Sequence, residues 1–179
     1  MQPERINTGV SAPVIRKLKP ADAEAYVALR RAMLLDTPWA FSASPEGDRG
    51  SDVERVLESL ARPGFAIVGA FESGGLVSAA GLNREDKPKR AHIAWIWGVY
   101  TAPSHRRRGL SRAVLSEVID VARSIPGVAC LQLSVSERSP QARALYESLG
   151  FEAWGTEPDA IRVDGRAYVE THMRRALYA

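Results

Sequence analysis

The chain has one cysteine, Cys130, so no disulfide can form within it and its stability has to come from packing. Cys130 lies in the apolar run Val128–Val135, the setting of a small buried hydrophobe in a central strand rather than of a catalytic thiol. Lysine is nearly absent too: Lys17, Lys19, Lys87 and Lys89 are the only four of 24 basic residues. No zinc-finger or RNA-binding signature occurs, no Walker loop and no Gly-x-Ser-x-Gly elbow, and no metal is expected. The net charge of +3 is too small an excess to imply a nucleic-acid partner. The longest uncharged apolar stretch, Ile93–Tyr100, is far too short to span a bilayer, so no membrane partner is expected. The first residues carry Glu4 and Arg5 without an apolar core, unlike a signal peptide. The expected location is the cytoplasm.

The 179 residues, 45% hydrophobic and 25% charged, suit one domain with a full-sized core. Residues 1–13 read as a flexible polar tail and 14–179 as a single domain. Val14–Leu18 alternates like a strand. Pro20 then opens an amphipathic helix with Ala25, Leu29, Ala32 and Met33 on one stripe. Asp36–Gly50 is a long loop, and Ser51-Asp52-Val53-Glu54 is a capping box for a helix running to about Ala61. Phe65–Glu72 and Leu76–Leu82 form a hairpin, and Ala91–Thr101 is the next strand. Leu110–Ile125 has helical period, Val128–Val135 is a buried strand, and Ser139-Pro140 opens a helix that Gly150 ends. Phe151–Thr156 and Ala160–Val163 are strands, and Asp164-Gly165 is a type I′ turn into Arg166–Arg174. The order β-α-α-β-β-β-α-β-α-β-β places helices on the faces of a mixed sheet.

The most informative stretch is Thr101-Ala102-Pro103-Ser104-His105-Arg106-Arg107-Arg108-Gly109-Leu110-Ser111. A strand that runs through a basic, glycine-containing loop into a helix makes an anion site. Loop amides point inward and the helix start adds free donors and a positive dipole end. Gly109 lets the backbone approach a phosphate. The bland alternative for the three arginines is a solvated turn. A second block, Leu133-Ser134-Val135 and then Ser139-Pro140-Gln141-Ala142-Arg143-Ala144-Leu145-Tyr146-Glu147-Ser148-Leu149-Gly150-Phe151, is a strand followed by a helix. By periodicity alone Tyr146 belongs to a core stripe with Ala142, Leu145 and Leu149.

Together the two blocks resemble the Gcn5-related N-acetyltransferase (GNAT) family. Arg106, Gly109 and Ser111 fill its coenzyme A loop, Arg/Gln-x-x-Gly-x-Gly/Ala, with Ser at the last position. Ala142, Leu145, Tyr146, Gly150 and Phe151 match its Asn-x-x-Ala-x-x-Leu-Tyr-x-x-x-Gly-Phe unit, with Ser139 in place of Asn. The resemblance implies a mixed, mostly antiparallel central sheet, splayed between the fourth and fifth strands and flanked by helices, with acetyl-CoA as cosubstrate. It implies that the backbone of Val99, Tyr100 and Thr101 holds the pantetheine arm. Arg106, Arg107, Arg108, Gly109, Leu110, Ser111 and Arg112 would hold the diphosphate, with Ser139 completing the cofactor contacts. Tyr146 becomes the general acid for the departing thiolate.

The family's usual glutamate bases are missing from His92–Gly98 and from Ser134. His92 or Glu137 acting through water is an alternative, but the expectation is that no side-chain carboxylate or imidazole is the essential base. Trp95 and Trp97 share a strand face and would line an acceptor pocket with Trp39 and Phe41, or else pack in the core. Glu46 and Asp48 would attract a cationic amine or simply be solvated. The leading expectation is acetyl transfer to the primary amine of a small molecule. Acetylation of a protein N-terminus or lysine is the first alternative and a non-catalytic acyl-CoA sensor the second. A homodimer is compatible with all three.

Overall fold

The structure is a computed structural model that describes residues 12–178; residues 1–11 of the expected tail lie outside that range. Seven strands form one sheet in the order β1-β2-β3-β4-β5-β7-β6. They are β1 (Val14–Lys17), β2 (Phe65–Glu72), β3 (Gly75–Arg84), β4 (Ile93–Thr101), β5 (Cys130–Ser136), β6 (Glu152–Val163) and β7 (Arg166–Ala176). Every neighbouring pair is antiparallel except β4 with β5. The helices are α1 (Ala23–Asp36), α2 (Val53–Leu60), α3 (Leu110–Ser124) and α4 (Pro140–Ser148). The expected element order and the expected splay both hold.

The two faces of the sheet bury separate cores. Strand residues Val68, Leu82, Ala94, Ile96, Leu131, Leu133 and Met173 pack with Val114, Val118 and Ala122 of α3 and Tyr146 of α4. On the other face Ile67, Ala79 and Tyr100 pack with Tyr26, Leu29 and Met33 of α1 and Val56 of α2. The period-two alternation of the strands sends successive residues to these two layers. It also fixes which residues can reach each side of a hole in the sheet.

That hole forms between β4 and β5. The pair is in register only at Ile93↔Cys130, Ala94↔Leu131 and Trp95↔Gln132. β5 then stays with β7 to Ser136↔Glu170, while β4 stays with β3 to Ser78↔Thr101. Opposite Ala80, β4 carries an extra residue at Gly98 (φ +60), a bulge that bends the strand away. Beyond Trp95 the two facing edges have no strand between them, which leaves backbone donors and acceptors for a ligand.

Three local expectations differ from the structure. The inward stripe of α1 is Ala23, Tyr26, Leu29, Arg30, Met33 and Leu34, and Ala25 and Ala32 are exposed. The larger Tyr26 and Leu34 bury more apolar surface than the two alanines can. The cap of α2 is Asp52, whose carboxylate accepts from the Arg55 amide at 3.0 Å; Ser51 instead donates to Asp48 at 3.3 Å. The two expected C-terminal strands are one strand, β6, interrupted by bulges between Ala153 and Gly155 and between Glu157 and Ile161. The turn into β7 has positive φ at Asp164 and Gly165, as a type I′ turn requires.

Candidate active site

β4 leads through a 3₁₀ turn, Pro103–His105, into a loop that ends at Gly109, the N-cap of α3, with φ +78. From Arg107 to Arg112 no backbone N–H has an acceptor among the described residues; the first amide of the helix to be paired is Ala113, on the Gly109 carbonyl. A run of free amides at a helix start is a cradle for a diphosphate. A Cβ placed on Gly109 would meet no protein atom within 4 Å, so the cradle is open above that residue.

The arginine side chains are divided between scaffold and ligand. Arg106 bonds the Thr101 carbonyl (3.0 Å) and pairs with Asp36 of α1. Arg108 makes a two-pronged pair with Glu72 of β2, at 2.9 and 2.6 Å, and His105 lies 3.5 Å from the same carboxylate. Arg112 donates to Ser148 of α4 at 2.7 Å. Arg107, at φ +61, has no salt-bridge partner among the described residues. Arg106 and Arg108 therefore hold the loop in shape, and its amides from Arg107 to Arg112 stay unpaired.

Ser111 is tied back in the same way. The Ser78 hydroxyl donates to the Tyr100 carbonyl (2.8 Å), so the 2.7 Å contact between Ser78 and Thr101 takes its proton from Thr101. The 2.8 Å contact between Thr101 and Ser111 then takes its proton from Ser111. Each hydroxyl has one proton to give, and this relay uses all three. It pins the end of β4 to the start of α3, so Ser111 has no proton left for a phosphate.

A cavity of about 330 Å³ passes through the splay. One end is lined by Val99, Leu133, Val135, Ala142 and Tyr146, on the α3/α4 side. The other is lined by Arg30, Phe41, Ser42, Trp95, Trp97, Ser134, Ser136 and Glu170, on the α1 side. Ser139, the N-cap of α4, borders it as well. Two reactants can thus meet through the sheet, each approaching from its own face. Of the three β4 residues expected to hold the arm, Val99 lines the cavity; the Tyr100 ring is buried against α1 and Thr101 belongs to the hydroxyl relay.

Tyr146 is 5% exposed and held edge-on by Phe151, with ring centroids 6.1 Å apart. Its burial pushes the phenol well above the ordinary tyrosine range, so it keeps its proton at neutral pH. Among the described residues nothing hydrogen-bonds its hydroxyl, which is not sealed from the cavity. A protonated phenol on the wall of such a cavity is equipped to give a proton to a leaving group. It also packs in the core: the two sequence readings of Tyr146 are compatible.

On the opposite side Trp95 and Trp97 line the cavity with Phe41, as expected, whereas Trp39 does not. Trp39 stacks under Arg138, 5.2 Å from the ring centroid. The Trp95 indole donates to Glu85 (2.9 Å), and this bond, with Arg90, holds the Glu85 carboxyl below its usual range. Asp48 is taken by Arg30 in two 3.0 Å bonds, with both side chains 8% exposed, and Glu46 is solvated. His92 precedes β4 and lies away from the cavity, and Glu137 accepts from the Val169 amide at 3.3 Å. Glu170, which the sequence pattern did not single out, is the one carboxylate on the lining. A second cavity of about 430 Å³ adjoins the first across Arg30, Trp95 and Trp97.

A family model described as the acetyltransferase (GNAT) family matches residues 28–151. Over 161 residues the chain is 32% identical to the N-alpha-acetyltransferase RimI of Mycobacterium tuberculosis, covering 88% of this chain and 90% of that protein. It is 27% identical over 95 residues to the L-amino acid N-acetyltransferase AaaT of Escherichia coli, covering 53% and 58%. A solved structure of yncA from Salmonella typhimurium with its cofactor acetyl-CoA superposes with a TM-score of 0.81 at 25% identity, covering 94% of this chain and 96% of that one.

Proposed function

The chain belongs to the GNAT acetyltransferase family and uses acetyl-CoA as cosubstrate, and we propose that it acetylates the α-amine of a peptide or protein N-terminus by direct attack on the thioester. The carrying observation is the cavity through the splay, with Tyr146 at one end and an open acceptor face at the other. Acetyl-CoA enters from the α3 side, its diphosphate on the amides of Arg107–Arg112 and its arm along the free edge of β4. The amine enters from the α1 side, attacks the carbonyl, and Tyr146 protonates the thiolate that leaves. The reacting end of the acceptor has to be small, because the cavity also holds the thioester. The adjoining cavity beyond Trp95 and Trp97 gives space for the residues behind an N-terminal one. The relative named for N-alpha-acetylation, matched over most of both chains, favours this acceptor.

Acetylation of a free amino acid or another small amine is the second reading, favoured by the shorter match to an L-amino acid acetyltransferase. Acetyl-CoA turnover, followed as free thiol, separates the two. A panel holds peptides with free and blocked N-termini, lysine side-chain peptides, amino acids and polyamines. Release with free N-termini and none with blocked ones supports the peptide reading. Release confined to small amines transfers the assignment to them, and acetyl-CoA binding without any release sinks both.

A further inference from the structure

No carboxylate occurs in His92–Gly98 or at Ser134, where a base is expected, yet the cavity is not without one. Glu170 lies on β7, where Ser136 is its partner on β5 and Glu157 its partner on β6. β7 pairs regularly with β5 from Ser136↔Glu170 to Cys130↔Ala176, so its side chains alternate strictly. Met173 is in the α3/α4 core, which puts Glu170 and His172 on the α1 face, the side where the acceptor enters. Glu170 lines the same cavity as Tyr146. Only one other charged residue, Arg30, lines that cavity, and Asp48 neutralises it. Glu170 has no salt-bridge partner among the described residues.

The other titratable groups near Glu170 are already committed or lie elsewhere. On β6, Glu157 is bound to His172 of β7, with Oε2 2.8 Å from Nε2, and neither lines the cavity. After β5, Glu137 accepts from the Val169 amide. Tyr168, two residues before Glu170, is buried beside Arg166. On α1 there is Arg30, and on α4 Tyr146, which stays protonated. We propose that Glu170 is the general base of this enzyme: it draws the acceptor's ammonium into the cavity and removes one of its protons, directly or through one water, before the nitrogen attacks. The proton leaves nitrogen for the Glu170 carboxylate on one face of the sheet. The freed nitrogen forms the C–N bond, the C–S bond breaks and the thiolate takes the Tyr146 proton on the other; the second nitrogen proton leaves through water, which returns a proton to Tyr146. Entry into a cavity walled by Trp95, Trp97 and Phe41 strips water from the ammonium and favours its neutral form, which eases a transfer to a carboxylate.

The inference rests on the acetyl-transfer reading, and the test separates the two. Wild type, Glu170→Gln and Glu170→Asp are compared on the best acceptor from the panel, with kcat/KM measured from pH 6 to 10, acetyl-CoA Kd by calorimetry and folding by thermal melt. If Glu170 is the base, Glu170→Gln loses roughly 10²–10⁴-fold near neutral pH, and acetyl-CoA Kd is unchanged. The loss shrinks about tenfold per pH unit towards the acceptor's own pKa, where the amine needs no base, and Glu170→Asp recovers part of the activity. A loss that is the same at every pH, or no loss at all, overturns the role of Glu170 and leaves acetyl transfer standing. Should Glu170→Gln not fold, the pH profile of Glu170→Asp decides in the same way. Absence of thiol release by the wild type with every amine overturns the transfer reading and this inference with it.

Discussion

Tyr146 and Gly109 are the two residues at which the proposed mechanism is tested by a single substitution. Tyr146→Phe keeps the ring against Phe151 and removes only the proton. If the phenol is the acid, kcat falls roughly 10²–10⁴-fold while acetyl-CoA Kd stays within about twofold, measured by steady-state kinetics and calorimetry; full activity would return Tyr146 to a packing role alone. Because burial raises its pKa, wild-type kcat should show no alkaline loss from Tyr146 up to about pH 10, the ordinary tyrosine value. Gly109→Val places a branched side chain at φ +78 in the open mouth of the amide cradle. The left-handed conformation costs about 1–2 kcal/mol in an L-residue, so the melting temperature drops but the fold survives. Acetyl-CoA affinity should fall at least about tenfold, equivalent to about 1.4 kcal/mol, and an unchanged Kd in the folded variant rejects this place for the diphosphate.

At the scale of elements, short polar links fix how neighbours meet. Arg16 of β1 makes two bonds to Asp22, at 2.6 and 2.9 Å, and the Lys19 amide donates to the same carboxylate at 2.7 Å. They staple β1 to the turn that opens α1. The bonds from Arg16, reinforced by the Lys19 amide, hold the Asp22 carboxyl below its usual range. The folded chain therefore binds fewer protons there than the unfolded one. Its stabilisation is complete above the ordinary aspartate pKa of about 3.9 and is lost as pH falls through the lower folded value. Asp22→Asn should be less stable than wild type in urea melts at pH 7, and the difference should shrink as pH falls below the ordinary aspartate value. A deficit that persists unchanged in acid would assign the effect to packing. A comparable division holds in the loop before α3, where Asp36 and Glu72 take Arg106 and Arg108 and leave the amides exposed.

The described residues form a sheet with a hole, and the proposed function gives each of the two reactants its own face of that sheet. Such access suits a ternary complex in which the acetyl group passes directly to the amine, with no acetyl-enzyme. Initial-velocity plots against both substrates should intersect. Parallel lines would indicate a covalent intermediate, and the one thiol available, Cys130, is buried away from the cavity. Cys130→Ala should accordingly retain most of the activity.

Sequence alone determined what depends on neighbours along the chain. The element order follows from period and turn chemistry, and the amide cradle from a glycine at a strand-to-helix junction. Tyr146 is placed on α4 by the spacing from Ala142 to Gly150. Tertiary structure decided what depends on partners far apart in sequence. Asp36 and Glu72 reach the arginines of the loop from 70 and 36 residues away, so composition could not tell a scaffold arginine from a phosphate ligand. Ser78 and Thr101 use the proton of Ser111, and Arg138 draws Trp39 away from the pocket. Glu170 had no motif around it; only the register of β7 on β5, together with the gap that opens where β4 leaves β5, brings its carboxylate to the same cavity as Tyr146. A strand's alternation is local, but which of its faces meets a cavity is set by the pairing of the whole sheet.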